Sequence, residues 1–180
     1  RTVTSKVFSK SFSIPLSYFK YMVYSDPGWD YKAYDLTDPK NFADLYYADA
    51  ALGPILDATE QDLSAFKKLG GKLLMYHGWI DQNIALRNSI NYYESVLSFF
   101  GSGQDRQRTL GEVQGFYRLF MAPGMAHCSG GTGPNTFDMQ AALEQWVERG
   151  IAPDRIVATH AVNGVVDRLR PLCPYPQVAV

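Results

Sequence analysis

Two short segments carry side chains that could do chemistry together. They are Tyr76-His77-Gly78-Trp79-Ile80-Asp81 and Met121-Ala122-Pro123-Gly124-Met125-Ala126-His127-Cys128-Ser129-Gly130-Gly131. Each follows a short apolar run, and functional groups of an open parallel sheet gather in the loops just past the carboxyl ends of its strands. Asp81 and His127 in such loops have the makings of a proton relay. The acid fixes the imidazole tautomer and stabilises its protonated form, while the imidazole takes a proton from a nucleophile and returns it to a leaving group. The 46 positions from Asp81 to His127 leave room for one helix and one strand, so the two loops can lie side by side.

Plainer readings stand beside this one. Asp81 could be an acid at the N-terminus of the helix that follows it, and His127 a loop histidine satisfied by nearby backbone. His77 ends a buried strand, where a local hydrogen bond is the simplest role, and His160 reads as structural. His77, Asp81, His127 and Cys128 could also be imagined as zinc ligands, but the chain has no His-x-x-x-His pair and no Cys-x-x-Cys. Cys128 as a nucleophile is disfavoured because adjacent side chains point apart, which separates it from His127.

The elements that must position these groups follow from periodicity. Thr59 with Asp62 resembles a helix start, with Leu63, Phe66 and Leu69 on one face before Gly70-Gly71. Residues Lys72 to Tyr76 form a nearly continuous apolar run of the kind a buried parallel strand shows. Leu86, Ile90, Tyr93, Leu97 and Phe100 repeat at steps of four and three, which marks an amphipathic helix. Gly101 to Arg108 reads as a polar loop, and Gly115 to Met121 as a second buried strand. Phe137, Leu143, Trp146 and Val147 can line a helix that closes at Gly150, and Ile156 to Thr159 an edge strand. This alternation is the grammar of an α/β fold, a parallel sheet covered by helices. Before residue 58 the chain is rich in Tyr, Phe, Asp and Pro. Turn-formers such as Ser25 to Asp30 and Asp35 to Pro39 give it the look of irregular cover with one short helix over Asn41 to Ala51.

Composition sets the outer limits. The chain has 180 residues, 46% hydrophobic and 19% charged, enough to bury a core and far from a disordered composition. A net charge of −1 offers no electrostatic reason for nucleic acid or an anionic membrane as partner. No apolar run reaches membrane-spanning length. Twelve tyrosines suit a surface that handles rings or sugars, though ordinary packing explains them more simply. Cys128 and Cys173 are too few for a disulfide-built scaffold.

An acid and then a histidine on successive strand ends is the order α/β-hydrolases use after their serine, yet no Gly-x-Ser-x-Gly occurs in the chain. The segments Tyr76 to Asp81, Tyr92-Tyr93-Glu94, Phe120 to Cys128, Gly133-Pro134, Trp146 to Gly150 and Arg170 to Pro176, in this order, resemble the tannase and feruloyl esterase family of secreted serine esterases. The resemblance runs from about Asp57 to Val180. It implies the C-terminal part of an α/β-hydrolase domain over 58–180, preceded over 1–57 by the end of a lid domain. It also implies a Ser-Asp-His triad in which Asp81 is the acid and His127 the base.

By the same resemblance, Cys128 pairs with a cysteine directly before the serine, tying the two loops together. Cys173 pairs with a cysteine beyond Val180. The serine, the oxyanion donors and the calcium ligands of the lid all fall before Arg1, so the chain is expected to be a C-terminal piece. Its partner would be the N-terminal part of the same enzyme, disulfide-linked through Cys128. No cofactor is expected for catalysis, only structural calcium held outside this chain. The Gly101 to Gly111 stretch reads as a polar insert at the rim. The expected activity is hydrolysis of phenolic-acid esters, feruloyl or other hydroxycinnamoyl, with galloyl esters as the tannase alternative. The expected compartment is extracellular or periplasmic, because the disulfide needs an oxidising one. A reading from another class is a non-catalytic carbohydrate- or aromatic-binding module. Retention of Asp81, His127 and Cys128 argues against it.

Overall fold

The computed structural model describes residues 13–35 and 37–179. The start of the expected lid segment and Leu36, within the Asp35 to Pro39 turn, lie outside the described residues. The chain divides into two compact units, Arg1–Ala58 and Thr59–Val180.

The first unit is more helical than its turn-rich sequence predicts. Helix α1 (Ser13–Ser17) runs into a π-helical turn over Tyr18–Val23, and a single 3-10 turn covers Tyr31–Ala33. Helix α2 spans Pro39–Leu56, well beyond the short helix expected at Asn41 to Ala51. The cause lies in two residues that read as turn-formers. Asp38 caps the helix by accepting from the Lys40 amide, and Pro39 takes the first helical position, where its missing N–H costs nothing. The aromatic residues pack on one another. Phe19 stacks on Trp29 with ring centroids 5.2 Å apart, and Tyr24 lies on the same indole at 5.2 Å. Tyr24 and Tyr34 hydroxyls donate to Asp44 and to the Asn41 carbonyl.

The second unit holds the expected alternation. Strand β1 (Leu73–Gly78) pairs in parallel with β2 (Tyr117–Ala122), Leu73 opposite Tyr117 and Gly78 opposite Ala122. Between them lie helices α4 (Arg87–Phe100) and α5 (Arg106–Gln114). Side chains along a strand alternate faces. Tyr117, Leu119 and Met121 therefore pack with Ile90, Tyr93, Val96 and Leu97 of α4 and Leu110 and Val113 of α5. Phe120 and Ala122 pack on the opposite side with Met125, Ile156, Ala158 and Leu172. Burial on both faces is why β2 reads as an apolar run broken only by Arg118.

Several expectations are corrected. Helix α3 (Ser64–Lys68) is a single turn starting after Asp62, whose carboxylate accepts from the Ser64 amide, and Leu69 is 89% exposed. The expected polar loop and rim insert are half helix, because Asp105 caps α5 by accepting from the Gln107 and Arg108 amides. Helix α6 (Met139–Arg149) closes at Gly150 in the left-handed conformation, as its sequence indicates. Of its expected inner face Trp146 is buried, while Val147 is 61% exposed. The expected edge strand does not join the parallel pair. It is β3 (Ile156–Val162), which pairs antiparallel with β4 (Val165–Leu172) across Asn163-Gly164. Both turn residues have positive φ, 52° and 80°, the two-residue hairpin geometry that Asn-Gly favours. No helix among the described residues is long and apolar enough to cross a membrane.

Replacing Leu119, fully buried in β2, by alanine should cost about 2–5 kcal/mol in urea unfolding. Val147→Ala, on the exposed side of α6, should stay within about 0.5 kcal/mol of the parent. Equal losses would mean that the α6 face is assigned wrongly.

Candidate active site

The site forms where β1 and β2 end side by side. After Gly78 the chain turns, and the Trp79 amide donates to the Ala122 carbonyl at 3.0 Å while the Ile80 amide donates to Met125 at 3.1 Å. These two bonds join the Asp81 turn to the start of the His127 loop. A Cβ at position 78 would collide with the carbonyl oxygens of Met125 and Ala126, so this approach needs glycine. The histidine loop is closed by its own backbone: Ala126 donates to Gly130, Ser129 to His127 and Gly133 to Gly124. At its tip Cys128 takes φ 62°, a left-handed conformation that is uncommon for a residue with a side chain.

This brings Asp81 and His127 together across the 46 residues that separate them. His127 Nδ1 lies 2.9 Å from Asp81 Oδ2. The aspartate is 4% exposed and the imidazole 37%, so the acid is enclosed and the base faces outward. Asp81 Oδ1 accepts from the Asn83 and Ile84 amides at 2.7 and 2.9 Å. Helix α4 starts only at Arg87, so these bonds belong to a tight turn and Asp81 is not that helix's N-terminal acid.

The electrostatics follow from those contacts. Burial pushes the Asp81 carboxyl up and is the largest single influence. The Ile84 amide, the His127 imidazole, the Asn83 amide and the His127 charge together outweigh it and hold the carboxyl well below the usual carboxylate range. An ionised Asp81 can only accept, so His127 Nδ1 donates to it, and in the neutral imidazole Nε2 presents its lone pair. Among the described residues, no protein group bonds His127 Nε2.

The structure also brings in residues that sequence reasoning left aside. His77 Nε2 lies 3.0 Å from the same Asp81 oxygen, and its Nδ1 lies 2.7 Å from Ser89 Oγ on α4. The local bond expected of His77 is present, but it goes to the carboxylate. The spacing of four between His77 and Asp81 was the available signal, while Ser89 had none. His160 stands apart on the hairpin, its Nδ1 2.6 Å from Asp167 Oδ1. Cys128 is exposed and Cys173 is partly buried, and the two are not paired with each other. Among the described residues no group of three or more His, Cys, Asp or Glu is arranged to hold a metal ion.

Comparison with known proteins agrees in kind. The family described as tannase and feruloyl esterase matches residues 12–180. The chain is 46% identical over 125 residues to a mono(2-hydroxyethyl) terephthalate hydrolase of Piscinibacter sakaiensis, covering 68% of this chain and 19% of that protein. It is 35% identical over 184 residues to a probable feruloyl esterase B-2 of Neosartorya fischeri, covering 92% of this chain and 32% of that one. The crystal structure of feruloyl esterase B from Aspergillus oryzae superposes with a TM-score of 0.72 at 31% identity, over 88% of this chain and 32% of that one. The chain thus spans between 19% and 32% of the length of the curated relatives named here. These likenesses bear out the α/β-hydrolase fold class.

The depressed Asp81 carboxyl contributes stability that is complete above the unfolded carboxyl value, about pH 4. That contribution is lost as pH falls toward the folded value. Acid titration followed by circular dichroism should show stability falling less steeply below about pH 4 in Asp81→Asn than in the parent. Parallel profiles would refute the ionised, bonded carboxylate.

Proposed function

The chain belongs to the tannase and feruloyl esterase family, and from that premise we propose that the protein carrying it is a secreted serine esterase of phenolic-acid esters. Hydroxycinnamoyl esters such as feruloyl groups of plant cell walls are the leading substrate class, and galloyl esters the alternative. The relatives' names support this breadth, since feruloyl and terephthalate groups are both aromatic acyl groups.

The observation that carries the reading is the Asp81–His127 hydrogen bond at 2.9 Å, with Nε2 open beyond it. In the reaction a serine outside this chain donates its hydroxyl hydrogen bond to Nε2. As its oxygen attacks the ester carbonyl, the proton passes to Nε2, and the buried Asp81 carboxylate stabilises the imidazolium. Nε2 then protonates the departing alcohol and leaves an acyl-enzyme. Water then gives a proton to Nε2 as it attacks the acyl carbonyl, and Nε2 returns that proton to the departing serine oxygen, releasing the acid and the free serine. Side chains carry every step, and none runs through calcium. A binding module would have no use for an enclosed acid orienting a solvent-facing histidine.

Cys128 supports a second part of the proposal. It is exposed and directly follows the base, which suits a disulfide to the serine loop that holds the relay geometry against loop motion. Such a bond fits an oxidising compartment and hence secretion.

With feruloyl, galloyl and terephthaloyl esters as substrates, His127→Ala should lower kcat by about four orders of magnitude or more. A fluorophosphonate should label a serine outside this chain. Unchanged turnover in the variant, with no labelling, would sink the esterase reading. Cys128→Ser should reduce turnover by a larger factor than its thermal midpoint suggests, and full activity in that variant would remove the tether.

A further inference from the structure

We propose that His77, held from behind by Ser89, is a positioning residue for Asp81 in the reaction proposed above, on whose reading this assignment rests. A carboxylate on a turn has freedom about its last torsion, and the two amides that bind Oδ1 both come from that same turn. They leave Oδ2 to be fixed by something outside it. Its two partners are His127, which sits on a loop, and His77, which sits in strand β1 and is 9% exposed. The strand is the more rigid support.

With Asp81 ionised and both imidazoles neutral, the hydrogen-bond roles are fixed. Oδ2 accepts from both rings, so His77 is protonated at Nε2 while His127 is protonated at Nδ1. His77 Nδ1 is then left as an acceptor, and buried Ser89 Oγ at 2.7 Å supplies the donor. One continuous relay results, running from helix α4 through Ser89, His77 and Asp81 to His127. It anchors the acid to the packed core on α4, where Ile90 follows Ser89 and Tyr93 lies one helical turn further on. Ser89 selects the His77 ring state, His77 selects the Asp81 rotamer, and Asp81 presents the lone pair that orients the base. A charge-assisted bond in a buried site is strong enough for its loss to matter kinetically.

The test uses the intact enzyme. His77→Phe keeps ring bulk but removes both nitrogens, and it should lower kcat about tenfold or more with KM unchanged. His77→Gln keeps an N–H donor that reaches toward Asp81, and it should recover most of that loss. Ser89→Ala, a smaller change that spares the fold if the Phe variant does not fold, should lower kcat severalfold. Nitrogen-15 imidazole spectra of the parent should show His77 protonated at Nε2 and unprotonated at Nδ1. A His77→Phe variant with parental kcat, a Gln variant no better than a folded Phe variant, or a His77 ring protonated at Nδ1 would each overturn the assignment. The ring spectrum is read whether or not any ester is cleaved. Failure of the esterase reading, decided by His127→Ala, is therefore separate from failure of this one.

Discussion

One enclosed carboxylate organises this part of the molecule. Asp81 accepts four hydrogen bonds, two amides on one oxygen and two imidazoles on the other. Burial alone would drive such a group toward its neutral form, and the Ile84 amide, the His127 imidazole, the Asn83 amide and the His127 charge reverse that preference. Its charge then dictates the protonation of both rings, since an ionised acceptor leaves each histidine only the donor role toward it. As neutral rings, the two imidazoles hold opposite tautomers around one oxygen. In the proposed reaction this makes His127 a base with its lone pair aimed outward.

The backbone around Asp81 exists to let that happen. Parallel pairing from Leu73 to Gly78 against Tyr117 to Ala122 ends both strands at one level, so the loops leaving them start as neighbours. Gly78 admits the Met125 and Ala126 carbonyls at a distance no side chain would allow. The histidine loop is then shaped by its own amide bonds and by the left-handed turn at Cys128. Beneath this, Tyr117, Leu119 and Met121 on one face and Phe120 and Ala122 on the other clamp β2 between two apolar clusters. A strand held on both faces is a stiff platform, which a relay tolerant of only fractions of an ångström requires.

Ser89 and His77 extend the same logic away from the solvent side. They connect the carboxylate to helix α4, whose inner residues belong to the larger apolar cluster. The first unit, by contrast, stacks Phe19, Tyr24 and Trp29 on one another while leaving Tyr21, Tyr31, Tyr46 and Tyr47 exposed. Its aromatic richness is therefore at least partly a packing device.

What the sequence alone determined was what local rules carry. Apolar runs at 72–76 and 115–121 marked the strands, the four-three repeat from Leu86 to Phe100 marked α4, and the unusual motifs around Asp81 and His127 marked the family. Some local signals were present yet outweighed in reading. Asp38-Pro39, Asp105 and Asn163-Gly164 are caps and a turn whose residues also suit ordinary loops. Only the tertiary structure decided the rest: that Leu69 and Val147 face outward, that β3 pairs with β4, and that one aspartate serves two histidines and, through one of them, a serine. The physical reason is that burial and side-chain pairing depend on residues far apart along the chain. Such contacts leave no period in the sequence, and a hydrogen bond spanning 46 residues is set by where two strands stop.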